Sequence, residues 1–129
     1  EPPTADSLGE RLSRTARPVK VALMDQAVIA GLGNIHAAEA LFRARIDPRL
    51  RADRLSDEQR RRLAQAIGET IALGLANDDE EEIAYVEEGA PNPFLVYGKA
   101  GEACPRCGQR LASLTQGGRT THFCPHCQR

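Results

Sequence analysis

Four cysteines carry the strongest chemical signal in this 129-residue sequence. Cys104, Cys107, Cys124 and Cys127 follow the pattern C-x2-C-x16-C-x2-C. Each C-x2-C pair puts two thiolates on one tight turn, and the spacer is long enough for a hairpin that brings the two turns together. Four sulfurs then form a closed tetrahedral site suited to one structural Zn2+ ion, with no open position for catalysis. Tetrahedral sulfur sites also hold iron, so the residues alone admit either metal. A redox C-x-x-C belongs beside a βαβ pattern and usually comes once, and disulfides need an oxidising compartment that nothing here suggests. His122 and His126 flank the ligands; with four thiolates present they read as surface or outer-sphere groups.

A second candidate is the stretch "AVIAGLGNIHAAEALF" at 27–42. Gly31 and Gly33 feed a helical pattern, and glycine turns before helices often hold phosphate. The stretch lacks the third glycine of a dinucleotide fingerprint, and a helix precedes it where that fingerprint needs a strand. No phosphate-loop motif G-x-x-x-x-G-K-[ST] is present. What remains is helix, glycine turn, helix. Backbone N–H groups at the start of the later helix, with the Asn34 amide beside them and Lys20 on the helix before, form a natural anion site. The glycines would serve equally well as a tight turn between packed helices. His36 taken alone reads as an ordinary helix residue.

The elements that must position these groups follow from spacing. Residues 1–5 read as a linker. Asp6 can N-cap a helix over 7–14 with Leu8 and Leu12 on one face. Pro18 suits the first turn of a second helix. That helix carries Val21, Met24 and Val28 and should stop near Gly31. Asn34 caps a third helix to about Ala44, with Ile35, Ala38, Leu41 and Phe42 inward. Ser56 opens a fourth with a capping box to Gln59, and Leu63, Ile67, Ile71 and Leu75 repeat along it. Residues 77–92 read as a loop, "FLVYG" as a short strand, and 110–115 with 119–124 as a hairpin around Gly117-Gly118. The expected organisation is a helical domain (6–76), an acidic connector (77–93) and a four-cysteine β module (94–129). A module that small has little core, so the metal should supply much of its folding energy.

Bulk composition sets limits. Aromatics are 4% with no Trp, so the core must come from Leu, Ile, Val and Ala. No apolar run approaches a membrane span, and the polar, proline-rich start is not a signal peptide. Net charge is −1, which excludes a globally basic nucleic-acid binder. Basic zones at 43–62 and 97–129 flank an acidic one at 78–88, so any anion site must be local.

Two features in this order, "KVALMDQAVIAGLGNIHAAEALFRARIDP" and the four-cysteine hairpin ending "CPHCQR", resemble the C-terminal half of the formamidopyrimidine-DNA glycosylase and endonuclease VIII family of base-excision repair. The resemblance runs from about residue 6 to 129. It implies a mainly α fold, a helix-two-turns-helix bundle followed by a zinc-bound β-hairpin. It implies phosphate contacts by Asn34 in the "GNI" turn, by Lys20 and by Arg119, with Gly33 letting that turn approach the strand. A guanidinium at a hairpin tip suits bidentate phosphate contact. It further implies Zn2+ on the four cysteines, damaged duplex DNA as partner, a monomer and a cytoplasmic, nucleoid-associated location. His36 stands where the family usually has Tyr, and the acidic stretch before "FLVYG" does not match the loop of the formamidopyrimidine branch, so lesion preference is open. The family's catalytic proline has no counterpart in the "EPP" opening. The chain is therefore expected to bind DNA without cutting it, the chemistry lying in an N-terminal catalytic domain of the same polypeptide. Two other classes compete: an RNA- or ribosome-binding module, for which a lysine-rich tail is lacking, and a protein-interaction zinc module using the acidic run.

Overall fold

The computed structural model describes residues 5–25, 33–72 and 94–129. Its elements are α1 (Ala5–Leu12), α2 (Val19–Leu23), α3 (Asn34–Ala44), a 3-10 turn (Ala52–Arg54), α4 (Asp57–Ala72), and strands β1 (Ala112–Gln116) and β2 (Arg119–Phe123). The expected linker at 1–4, the segment 26–32 with Val28 and Gly31, Leu75 and the acidic connector lie outside the described residues. No helix among the described residues is long and apolar enough to cross a membrane.

Helix α1 buries Leu8 and Leu12, as their spacing requires. It begins at Ala5, so Asp6 lies within the first turn and not before it, a displacement ordinary for helix ends. Pro18 sits one position earlier than expected: it precedes α2 in extended conformation (φ −52°, ψ 141°). Helix α2 also ends well short of Gly31. The N–H groups of Met24 and Asp25 bond to the carbonyls of Val21 and Ala22, three residues back, so the last turn tightens and stops.

Asn34 is the first residue of α3, not its cap; Gly33 occupies the cap position, and no side chain caps this end. At the other end Arg45 turns left-handed (φ 62°) and closes the helix. The exposed carbonyls there are met by cations, as the negative end of a helix favours. Arg106 Nη1 donates to Phe42 O at 3.0 Å and Arg62 Nε to Ala44 O at 2.9 Å. Arg106 also lies 4.2 Å above the Phe42 ring.

The capping box of α4 forms as expected. Gln59 N donates to Ser56 Oγ at 3.1 Å, and Ser56 N to Gln59 Oε1 at 2.8 Å. The four-residue repeat drifts, however. Leu63 and Ile67 are buried, but Ile71 is 45% exposed and Thr70 takes the inward place. Four residues turn a helix by about 40° beyond a full circle, so a strict four-residue repeat leaves the buried face after two steps.

Two cores result. Leu8, Leu12, Leu23, Leu41, Leu63 and Ile67 are among the residues that join α1–α4 into one. Ala38 and Phe42, from the other side of α3, join Val96, Cys104, Leu111 and Cys124 in a second. The cysteine module therefore rests on a helix of the preceding domain and does not form its core alone.

"FLVYG" is not a strand; residues 94–98 bend and turn. The N–H groups of Leu95, Val96 and Tyr97 donate to the carboxylate of Glu39, at 2.7, 2.9 and 3.1 Å. Three successive donors converging on one acid cannot keep the alternation that a strand needs. The hairpin does form, with β1 and β2 antiparallel from Ala112↔Phe123 to Gln116↔Arg119. Gly117 (φ 56°) and Gly118 (φ 80°) supply the two positive φ values of a tight two-residue turn.

Candidate metal centre and nucleic-acid interface

The hairpin folds the two C-x2-C turns together. The sulfurs of Cys104, Cys107, Cys124 and Cys127 all lie within 4.8 Å of one another. Cys107 and Cys124 Sγ are 3.5 Å apart, and Cys104 and Cys127 Sγ 4.0 Å. A tetrahedral ion with sulfur ligands at about 2.3 Å sets its sulfurs about 3.8 Å apart, so the cluster has the size of a metal site. Backbone N–H groups support it. Arg106 N, Gln109 N and Cys127 N donate to the sulfurs of Cys104, Cys107 and Cys124 at 3.3, 3.4 and 3.4 Å. Gly108, left-handed at φ 81°, carries the chain away from the first pair.

Electrostatics point the same way. Burial pushes the Cys104 thiol up, but N–H donors from Cys107 and Arg106 outweigh it and bring the group down to about 7. Burial and then the neighbouring thiols push Cys127 up to about 12. Four sulfurs this close cannot all ionise unaided, and a divalent cation removes that conflict. His122 and His126 stay out of the cluster. His122 meets the Tyr97 ring edge-on at 5.2 Å, and His126 is exposed.

The other predicted residues come from three elements. Lys20, on α2, is fully buried. Its Nζ donates to Asn34 Oδ1 at 2.6 Å and to Thr121 Oγ1 at 2.9 Å. Asn34 Nδ2 donates to Thr120 O at 3.0 Å. The Asn34 amide is thus committed across the fold, which is why it does not cap its own helix. Thr121 in turn donates to Gln116 Oε1 at 2.9 Å, and Gln116 Nε2 to Pro48 O at 3.1 Å. Lys20 and Arg119 both line an open cleft of about 430 Å³, together with Arg17, Val21, Met24, Asp25, Gln116 and Gly117. Asn34 is not among the residues that line that wall. Gly33 is half-buried at the start of α3, and His36 is buried in its first turn.

Sequence spacing does not reveal several residues that build this arrangement. Thr121 and Gln116 join the hairpin to Lys20. Gln128, 1% exposed, accepts from Cys124 N at 2.8 Å and donates to Ile46 O at 2.9 Å, tying the second cysteine turn to the end of α3. Arg17 reaches the cleft from the residues before α2. The alternating polar positions of β2 are the one local hint, since they put Arg119 and Thr121 on the same face.

Residues 1–84 match the formamidopyrimidine-DNA glycosylase H2TH domain, and residues 101–129 match a zinc finger found in FPG and IleRS. The formamidopyrimidine-DNA glycosylase of a Synechococcus strain is 40% identical over 97% of this chain and 46% of its own length. That of Thermus thermophilus is 43% identical over 91% and 46%. Among solved structures, MutM (Fpg) of Thermus thermophilus superposes with a TM-score of 0.78 at 35% identity, over 97% of this chain and 50% of that one. Lactococcus lactis Fpg, non-covalently bound to DNA containing an AP site, gives 0.77 at 32%, over 97% and 45%. The chain spans about half the length of the curated relatives it matches.

Proposed function

Because the chain belongs to the formamidopyrimidine-DNA glycosylase family, we propose that it is the DNA-gripping portion of a bifunctional glycosylase and abasic-site lyase. The whole enzyme removes oxidised bases of the formamidopyrimidine and 8-oxoguanine type in base-excision repair. The observation that carries this reading is the cleft lined by Lys20 from the helical part and Arg119 from the hairpin. Two cations from separate elements on one concave wall make a local anion site in a chain of net charge −1. Lys20, Arg119 and the N–H groups after Gly33 hold phosphates around a flipped nucleotide, and Asn34, whose Oδ1 accepts from Lys20, sets the position of that ammonium. These contacts position the duplex and carry no sequence code.

The metal is one Zn2+ held by Cys104, Cys107, Cys124 and Cys127. It supplies folding energy to the hairpin that presents Arg119 and does no chemistry on DNA. The amine nucleophile and its acid belong to an N-terminal catalytic domain of the same polypeptide, which works as a monomer in the bacterial cytoplasm at the nucleoid. Crystal structures of the Lactococcus lactis enzyme with abasic-site DNA support the choice of ligand.

Fluorescence anisotropy with the zinc-loaded chain tests this. A duplex carrying an abasic analogue should bind more tightly than single-stranded RNA of equal length. Asn34→Ala and Arg119→Ala should each weaken duplex binding, and Arg119→Ala should lower the salt slope by about one. Unchanged duplex affinity in both variants, or equal affinity for RNA, overturns the proposal.

A further inference from the structure

Arg17 is a third cation on the cleft wall, beside Lys20 and Arg119. We propose that Arg17 is a further phosphate-binding residue, held by Asp25 when DNA is absent and transferred to a backbone phosphate when DNA occupies the cleft. This rests on the proposed function of the same cleft.

Three observations carry it. First, Arg17 shares the cleft wall with Lys20 and Arg119, so a phosphate drawn to those two enters a space that its guanidinium also borders. Second, its backbone is anchored while its side chain stands exposed. Arg17 O accepts from Ala52 N at 2.9 Å, Arg17 N donates to Thr15 Oγ1 at 3.2 Å, and the next residue, Pro18, bridges to Arg51. The side chain that rises from this anchored stem is 64% exposed. Third, its partner in the structure is a weak one. Arg17 Nη1 and Asp25 Oδ2 are 3.8 Å apart, and the Asp25 side chain is itself 40% exposed. A loose pair in water contributes little. A phosphate offers the planar fork two oxygens at once, and the field of Lys20 and Arg119 favours that anion further.

Asp25 sets the exchange. Its charge lowers the positive potential of the empty cleft, and it competes with the strand for Arg17. Losing Asp25 should therefore strengthen duplex binding, and part of that gain should need Arg17. A general loss of negative charge near the strand would act without Arg17, so the coupling between the two residues is the distinctive readout.

The experiment is a double-mutant cycle on the zinc-loaded chain: wild type, Arg17→Ala, Asp25→Asn and the double variant, with Arg119→Ala alongside. Affinity for a duplex carrying a tetrahydrofuran abasic analogue is measured against salt. Arg17→Ala should bind about fivefold more weakly, the size of an exposed charged contact. Its salt slope should fall by about one, as for loss of one phosphate contact. The gain from Asp25→Asn should shrink in the Arg17→Ala background. If Arg119→Ala loses slope while Arg17→Ala keeps wild-type affinity and slope, the assignment of Arg17 is wrong and the proposed function of the cleft stands. If neither variant changes the slope, the cleft does not face DNA and both fall. If Asp25→Asn fails to fold, judged by circular dichroism, Arg17→Lys decides. It keeps the charge but not the fork, so it should retain the salt slope and recover only part of the affinity; full recovery or none overturns the bidentate contact.

Discussion

Replacing Glu39 with glutamine changes one atom of an almost fully buried side chain and should disturb the joint between the two cores. The carboxylate, 1% exposed, accepts the N–H groups of Leu95, Val96 and Tyr97 and lies 3.9 Å from Arg43 Nη1. Oε2 takes two of the three donors, so a glutamine can satisfy at most two by placing its oxygen there. Its NH2 group then points at Leu95 N, donor against donor. Hydrogen bonds to charged groups contribute about 1.5–3 kcal/mol each, and a buried donor left unpaired costs about 1–3 kcal/mol. Breaking such a buried charged network costs about 3–5 kcal/mol in total. A domain of this length holds about 6–19 kcal/mol, so the loss is large but leaves a folded protein to measure. At about 4 °C per kcal/mol, the melting temperature of the metal-loaded chain should fall by about 12–20 °C. Thermal unfolding by circular dichroism reads the shift, and hydrogen exchange at residues 95–97 reads its location. A glutamine variant melting within about 3 °C of wild type, with unchanged exchange at those amides, would show that the carboxylate does not hold the segment.

Two further outcomes can be measured directly. Chelating the metal should abolish the hairpin signal and weaken duplex binding while most helical ellipticity remains; because Phe42 and Ala38 lose their packing partners, the remaining helices should also melt at lower temperature. Acid unfolding tests Asp47. Burial raises its carboxyl, but Arg49, donating through backbone N, Nε and Nη2, holds it below the usual range on balance. A folded pKa below the unfolded value gives stability that is complete above about pH 4 and is lost as pH falls through the lower folded value. Asp47→Asn should flatten stability against pH in that acid window and leave its shape near neutrality unchanged, and an unaltered acid limb argues against the pairing.

What the sequence makes legible is local. The cysteine spacing, the Ser56–Gln59 box and the Gly117-Gly118 turn each satisfy themselves within a few residues or one hairpin, so their residue types declare the structure. Glu39 and "FLVYG" do not. The apolar, β-prone residues of that segment read as a strand, yet their N–H groups go to a carboxylate on a distant helix. Asn34 fails for a similar reason: its type suits a cap, but Lys20 and the Thr120 carbonyl offer its amide tertiary partners. Ile71 shows a limit of periodicity itself, because four is not the period of a helix. The candidate phosphate residues are nameable from resemblance. That Lys20 lies buried with its ammonium on Asn34 and Thr121, with Arg17 and Asp25 sharing its cleft, depends on strand and helix meeting across the fold.

Ten of the eleven residues of α3 are buried, because one side of the helix faces the helical core and the other the cysteine module. Such a helix has almost no position where a substitution is inexpensive. The outer faces of α1 and α4 can drift one residue at a time, but a larger side chain at Ala38 or Ala40 must be matched by a smaller one in a neighbour. Variation in this segment should therefore come as compensated pairs, and libraries randomised there one position at a time will lose most of their members.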